Sequence, residues 1–322
     1  MALKFVFYPP QRETSRQWAA RLSDMAPEIK VVAPETEEEA KREMRDADAA
    51  FGTLPKDALA GATKLRWLQA PAAAPQAGYY YPELIKHPVQ VTNFREIYND
   101  HIANHIMAFI LSFARGLHYY IPRQLKSEWK PDALDGGVVH LAEATALVVG
   151  VGGIGSEAAR LCAAFGMKVI GVDARRTDKP QGVAELHRPD ELDKLLPRAD
   201  FVILTIPHTP QTEGLFNTQK FSLMKKGAFF INIGRGMTTK LDALNDALRS
   251  GHLGGAGLDV YEIEPLPKTH PLWSAPNVLL TPHTAGFGPY LDDRRWEIIL
   301  DNTRRFLKGQ SLRNVVDKAN WF

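Results

Sequence analysis

The chain has 322 residues, with 39 basic and 37 acidic side chains for a formal net charge of +2, 45% hydrophobic residues and one cysteine. At roughly 150 residues per domain this suits two domains with ordinary cores and argues against disorder. Lys and Arg occur only in short pairs such as Arg175-Arg176, Lys225-Lys226 and Arg304-Arg305, which excludes a strongly basic nucleic-acid binder, and Cys162 alone permits no intrachain disulfide, thiolate metal cage or CxxC pair, as suits a reducing cytosol.

The first ten residues carry only the apolar run Phe5-Val6-Phe7 before Pro9-Pro10. No signal peptide is therefore expected, and the mature chain is expected to begin at Met1. Short β-rich runs at 4–8, 30–32, 49–51, 65–68 and 89–92 predict strands, with amphipathic helices between them. Thr36-Glu37-Glu38-Glu39 has the form of a capping box and opens a helix to about Arg45. Alternating strands and helices imply parallel pairing and an α/β sheet.

A helical pattern follows over 100–117, with Ile102, Ile106, Phe109, Ile110 and Phe113 on one face, and reads as a connecting or interface helix. Beyond the polar segment 130–137, nearly all-apolar runs at 144–149, 168–172, 201–206, 228–233, 255–260 and 278–280 predict parallel strands covered on both faces. The longest stretch free of charged side chains, 269–291, holds Pro271, Pro276, Pro282 and Pro289 and so cannot be a membrane-spanning helix.

Gly150-Val151-Gly152-Gly153-Ile154-Gly155 follows the strand at 146–149 and opens a helix over 156–165. The first glycine permits a tight turn, the second lets backbone approach a pyrophosphate, and the third lets helix pack on strand; the helix N-terminus offers N–H groups to the anion. Asp173, closing the next strand about 20 residues on, is placed to accept hydrogen bonds from an adenosine ribose diol, which favours NAD. Arg175 and Arg176 leave NADP open, since they could embrace a 2′-phosphate.

Three further segments follow or end apolar strands: Ile231-Asn232-Ile233-Gly234-Arg235-Gly236, Asp259-Val260-Tyr261-Glu262-Ile263-Glu264-Pro265 and Thr281-Pro282-His283-Thr284-Ala285-Gly286. Ligands of open α/β sheets bind beyond strand C-termini, so an arginine, a carboxylate and a histidine could converge there.

The phrases GVGGIG, NIGRG, DVYEIEP, HPLW and TPHTAG, in this order and spacing, resemble the D-isomer-specific 2-hydroxyacid dehydrogenase family. The resemblance runs from Leu65-Arg66-Trp67 through Asn314-Val315-Val316-Asp317. It implies His283 as acid/base, Glu264 as its carboxylate partner and Arg235 as substrate clamp. It also implies cofactor contacts at Gly150, Gly152, Gly153, Ile154, Gly155, Asp173, Pro207, Ile233 and Asp259, the last near the nicotinamide carboxamide. The chemistry suits these residue types. Keto-acid reduction leaves negative charge on the carbonyl oxygen, which an imidazolium at His283 neutralises, while a planar guanidinium at Arg235 grips the substrate carboxylate.

The sequence departs from the family in the loop Ala70-Pro71-Ala72-Ala73-Ala74-Pro75-Gln76-Ala77-Gly78, where Pro75 has no N–H to offer a carboxylate. Ala73 and Ala74 are the substrate contacts expected there, with Tyr98 and Tyr290 as further pocket candidates at the domain crossings. Tyr79-Tyr80-Tyr81 reads as a packed aromatic loop. His101 and His105 have the i, i+4 spacing of zinc sites but lack the Glu of HExxH and a third ligand, so no metal is expected. The family commonly carries a carboxylate where Asn104 stands. Cys162 reads as a small core residue.

The resemblance implies two doubly wound α/β domains: a Rossmann NAD-binding domain over 101–289, inserted into a flavodoxin-like substrate domain of 1–100 and 290–322, with the active site between them. The expected function is a cytoplasmic oxidoreductase of small D-2-hydroxy acids and 2-keto acids, of the glyoxylate/hydroxypyruvate type, dimeric through the NAD-binding domain. Phosphoglycerate-type oxidation and a non-catalytic NAD-sensing, corepressor-like role stand as alternatives.

Overall fold

The computed structural model describes residues 3–73, 78–131 and 138–319. The chain forms two compact units, one made of the segment up to Ile97 and the segment from Pro289 onward, the other of Tyr98–Gly288. Each is an all-parallel sheet flanked by helices.

The first unit holds β1 (Leu3–Phe7), β2 (Ile29–Val32), β3 (Ala49–Phe51), β4 (Trp67–Gln69) and β5 (Gln90–Thr92), in the order β2-β1-β3-β4-β5. That is the doubly wound order of flavodoxin-like sheets, with its switch point between β1 and β3. The apolar strands are buried on both faces because helices cover both. In the helix Glu37–Met44 the Thr36 side chain accepts from the Glu39 N–H, so the hydroxyl half of the predicted capping box is made. The helix Leu291–Leu307 buries Trp296, Ile298 and Ile299 and packs beside Glu13–Met25, with the Arg21 guanidinium 4.4 Å over the Trp296 ring. The chain end then returns to β5 through Val316 N–H to the Val91 carbonyl.

The second unit holds β6 (Thr145–Val149), β7 (Lys168–Val172), β8 (Glu185–His187), β9 (Phe201–Leu204), β10 (Phe229–Asn232), β11 (Gly255–Leu258) and β12 (Val278–Leu280), in the order β12-β11-β10-β9-β6-β7-β8. Counted from β6, this is the 3-2-1-4-5-6 order of dinucleotide-binding sheets with one more strand beyond the sixth, and its switch point lies between β6 and β9. Strand β8 escapes the sequence pattern because it is a three-residue polar edge. Glu185 pairs there with Lys168, His187 and Arg198 in place of apolar packing.

The predicted helix over 100–117 is Asn99–Ala114, ended by Gly116 at φ +67°, and a second helix, Leu117–Gln124, which the sequence pattern does not predict, follows it. The apolar face expected to form an interface is covered inside its own unit. Ile106, Phe109, Ile110 and Phe113 are buried, the helix packs on Gly153–Ala164, and Phe113 stacks on Phe229 at 4.8 Å. Each such buried aromatic contributes about 2–3 kcal/mol of burial. Among the described residues no helix is long and apolar enough to cross a membrane.

Candidate active site

The glycine turn after β6 is built by close backbone approach. Gly150 has φ +94°, and a Cβ on Gly155 would lie 1.9 Å from the Gly150 carbonyl oxygen, so neither position tolerates a side chain. The Thr205 hydroxyl, just past β9, donates to that same carbonyl at 2.5 Å. The helix begins at Gly153, three residues earlier than expected, because the turn winds directly into it. Gly152 and Gly153 are exposed, and a Cβ at Gly152 would meet nothing within 4 Å. Open space beside the unbonded N–H groups of a twelve-residue helix fits a dinucleotide pyrophosphate.

Asp173 shapes the neighbouring turn. Its carboxylate accepts the N–H groups of Val151 (2.8 Å), Arg175 (2.8 Å) and Arg176 (2.9 Å). Burial raises its pKa, but these three bonds outweigh that and hold it below the ordinary aspartate value. One acceptor position of about four is left for a ribose hydroxyl. The Arg176 guanidinium bonds the Val151 carbonyl (3.0 Å), the Ser156 hydroxyl (2.8 Å) and Asp178.

Three loops at the C-terminal ends of β10, β11 and β12 carry the arginine, the carboxylate and the histidine. Asn232 organises the first: its amide N–H groups reach the Arg235 carbonyl and the Thr239 hydroxyl (3.0 Å), and its oxygen accepts the Gly234 N–H (3.0 Å). Gly236 lies so near the second loop that a Cβ would sit 1.8 Å from the Tyr261 carbonyl oxygen. The partly buried Arg235 guanidinium bonds its neighbour's Gly234 carbonyl at 2.6 Å. Burial lowers its pKa, opposed by the negative charge of Glu264. A guanidinium stays charged regardless, so this is a cation held partly out of water and suited to an anionic ligand.

Glu264 accepts the Tyr261 N–H through Oε1 (3.0 Å) and faces His283 Nδ1 through Oε2 at 2.7 Å. Both side chains are exposed, His283 at 51% and Glu264 at 37%. With Nδ1 turned to the carboxylate, Nε2 is the ring nitrogen left for a reacting group. His283 has φ +56°, a strained backbone for a side-chain-bearing residue. Buried Asp259 stabilises it by accepting the Thr281 hydroxyl (2.6 Å) and the Thr284 N–H (2.8 Å) on Oδ1 and the Ala285 N–H (3.0 Å) on Oδ2. In the sequence Asn232 and Thr281 stand out only as parts of motifs; their partners make them the ties of these loops. Polar residues at strand ends beside glycine or proline are the signal that could have marked them.

Ile233 is buried and continues the β10–β9 ladder through its N–H to the Leu204 carbonyl (3.1 Å), while Pro207 is exposed past β9 and Ile154 half-buried in the first turn of its helix. In the first unit the Ala73 carbonyl accepts from Asn93 at 2.9 Å; Ala74 and Pro75 lie outside the described residues. Tyr290 is exposed, with φ +64°, immediately before Leu291–Leu307. Tyr98 is half-buried in the second unit, near Gly286. The Tyr79 and Tyr81 hydroxyls donate to the carbonyls of Gly52 (3.1 Å) and Leu54 (3.0 Å), making the aromatic run a packed fastening. His101 and His105 do not share a ligand set: among the described residues there is no group of three metal-binding side chains, and His105 Nε2 lies 3.0 Å from the Thr281 hydroxyl. Cys162 is buried in its helix, and burial pushes its thiol up to about 12, so it is inert core.

The family model for the D-isomer specific 2-hydroxyacid dehydrogenase NAD binding domain matches residues 107–285. The chain is 33% identical over 307 residues to a glyoxylate/hydroxypyruvate reductase B of Klebsiella pneumoniae, covering 90% of this chain and 91% of that one. It is 29% identical over 309 residues to a D-3-phosphoglycerate dehydrogenase of Methanocaldococcus jannaschii, covering 94% of this chain but spanning only 58% of that longer protein. Its structure superposes on a D-isomer specific 2-hydroxyacid dehydrogenase of Xanthobacter autotrophicus Py2, solved with NADPH and MES, with a TM-score of 0.84 at 28% identity and full coverage of both chains. The matched fold, the glycine turn and the loops bearing Arg235, Glu264 and His283 agree: the chain belongs to the D-isomer-specific 2-hydroxyacid dehydrogenase family of oxidoreductases.

Proposed function

We propose that the protein interconverts small 2-keto acids of the glyoxylate and hydroxypyruvate kind with their D-2-hydroxy acids, using NAD(H). The observation that carries this reading is the His283 Nδ1–Glu264 Oε2 contact of 2.7 Å at the same sheet end as the Arg235 loop. A bound nicotinamide dinucleotide supplies the hydride donor or acceptor. In this reading residues 101–289 hold it through the backbone of Gly150, Gly152, Gly153, Ile154 and Gly155, with Asp173, Pro207, Ile233 and Asp259 as further contacts. Residues 1–100 and 290–322 serve the substrate, with Ala73, Ala74, Tyr98 and Tyr290 as contacts.

Arg235 grips the substrate carboxylate and polarises the adjacent carbonyl, because its fixed fork of donors matches two oxygens at once. Glu264 orients the His283 ring through the contact with Nδ1, leaving Nε2 to the substrate. His283 would give its Nε2 proton to the carbonyl oxygen that becomes the hydroxyl, and in the reverse direction would take that proton back.

NAD is favoured over NADP by the carboxylate of Asp173, and Arg175 and Arg176 are the groups through which NADP would be accepted. A homodimer through the NAD-binding domain belongs to the same reading. Leu117, Ile121 and Leu125, four residues apart along the helix Leu117–Gln124 and its C-cap, are 44%, 49% and 82% exposed, an apolar stripe suited to a second copy of itself. The single cysteine, which permits no intrachain disulfide, suits the reducing cytoplasm.

The test is turnover of glyoxylate, hydroxypyruvate, pyruvate, phenylpyruvate and, in the oxidative direction, 3-phosphoglycerate, each with both cofactors in parallel. The expected result is NADH oxidation on the small keto acids. Turnover confined to 3-phosphoglycerate would move the reading to phosphoglycerate oxidation, and cofactor binding without turnover on any substrate would overturn it in favour of a sensor.

A further inference from the structure

The half-buried ring of His105 is unused by the chemistry above, yet it touches the loop that carries His283. His105 lies on the helix Asn99–Ala114, one turn before Phe109. Phe109 fixes the helix against β11, where a Cβ on Gly257 would meet its ring at 2.7 Å, and the His105 ring stands edge-on to Phe109 with centroids 4.8 Å apart. This register brings His105 Nε2 to 3.0 Å from the Thr281 hydroxyl oxygen.

The direction of that bond follows from proton counting. Thr281 has one hydroxyl hydrogen, and at 2.6 Å it goes to the Asp259 carboxylate, which offers only acceptors. Thr281 therefore has lone pairs alone to offer His105, so His105 carries its proton on Nε2 and donates. The chain is polarised in one sense: imidazole N–H to hydroxyl, hydroxyl to carboxylate, with the carboxylate's remaining bonds to the N–H groups of Thr284 and Ala285. His283 sits between Thr281 and Thr284, at positive φ, so this relay fixes both sides of the strained residue.

We propose that His105 is a positioning residue for the reaction: its Nε2–H, acting through Thr281 and Asp259, holds the turn that keeps His283 facing Glu264. The inference rests on the acid/base reading of His283. It assigns a role to a histidine that its i, i+4 partner His101 and metal-site spacing do not explain.

Two substitutions separate the hydrogen bond from the packing. His105→Phe keeps a ring against Phe109 and loses the N–H; His105→Gln loses the ring and places an amide N–H near the position of Nε2. The expected result is that His105→Phe lowers kcat for keto-acid reduction about tenfold, the worth of one such bond, with the KM for NADH changed less than about twofold, and that His105→Gln recovers most of the loss. Because the effect runs through Thr281, His105→Phe combined with Thr281→Val should be no slower than the slower single variant. Equal losses in the Phe and Gln variants, a better Phe than Gln variant, or additive losses with Thr281→Val would overturn the proposal.

Ring-nitrogen NMR of protein labelled with 15N-histidine supplies a readout that needs no turnover. His105 should appear as the neutral Nε2–H tautomer, and the His283 ring signals should move or broaden in His105→Phe but not in His105→Gln. A wild-type protein inactive on every keto acid would overturn the functional reading, while these signals still decide the relay; an Nδ1–H tautomer at His105, or unchanged His283 signals in His105→Phe, would overturn the relay itself.

Discussion

The strand-end loops of the two sheets are tied down by different chemistry. In the seven-stranded sheet, short polar and charged side chains close the loops onto themselves: Asn232 onto Arg235 and Gly234, Asp173 onto Val151, Asp259 onto 281–285, Glu264 onto Tyr261 and His283. In the five-stranded sheet the fastenings are phenols and amides reaching backbone carbonyls, Tyr79 to Gly52, Tyr81 to Leu54 and Asn93 to Ala73. The first arrangement holds charges at fixed positions, as acid/base work and anion binding need. The second ties its loops with neutral groups packed against an apolar and aromatic core. The proposed function assigns the reaction to the loops of the first and the choice of substrate to those of the second.

Substitutions graded by expected effect probe that division. Arg235→Ala should lower kcat/KM about 10³-fold, since it removes the cation from the charged loops, and Arg235→Lys should recover only part, because an ammonium lacks the fork. Glu264→Gln should cost about 10²-fold in reduction and leave cofactor affinity near wild type; steady-state rates with tryptophan-quenching titration of NADH measure both. On the stability side, Asp259→Ala strands one hydroxyl and two loop N–H groups and should cost about 3 kcal/mol in denaturant unfolding. Tyr79→Phe removes one bond in the other sheet and should cost about 1 kcal/mol while shifting relative rates across the keto-acid panel more than the overall rate. If Tyr79→Phe abolished turnover uniformly, the division between the sheets would fail.

The smallest effect is in the pH dependence of stability. Burial lowers the pKa of His105, against the charge of Asp259, and of His118, against its bond to the Ser112 carbonyl. The unfolded chain therefore takes up protons before the folded one, and stability present above pH about 6.5 is lost as pH falls below it. His187, whose pKa is raised chiefly by its bond to Glu185, pulls the other way. The two contributions separate in a His118→Phe variant, whose thermal unfolding should depend less on pH between about 7.5 and 5.5 than that of the wild type.

Much of this was legible in the sequence because the backbone itself demands it. A glycine that must take φ +94° and another that must lie 1.9 Å from a carbonyl leave their mark as GxGxxG, and strands buried on both faces leave apolar runs. Polar edges leave none, which hides β8. The short helix Leu117–Gln124 beyond Gly116 leaves little mark either, since it has no fully buried residue to set an apolar period. The tie from His105 to Thr281 joins residues 176 positions apart, and no local pattern records it. Asp173 was legible as a residue of the cofactor turn, but its use by three backbone N–H groups was not, since those bonds depend on the φ and ψ of the loop that follows.

The central claim is that His283, oriented by Glu264, moves the proton of the reaction. Its most direct test is single-turnover reduction of glyoxylate by pre-bound NADH in wild type and His283→Ala. The account predicts that NADH binds both proteins with similar affinity and that the variant's rate of NADH consumption falls at least about 10²-fold. Consumption at a rate near wild type would contradict it.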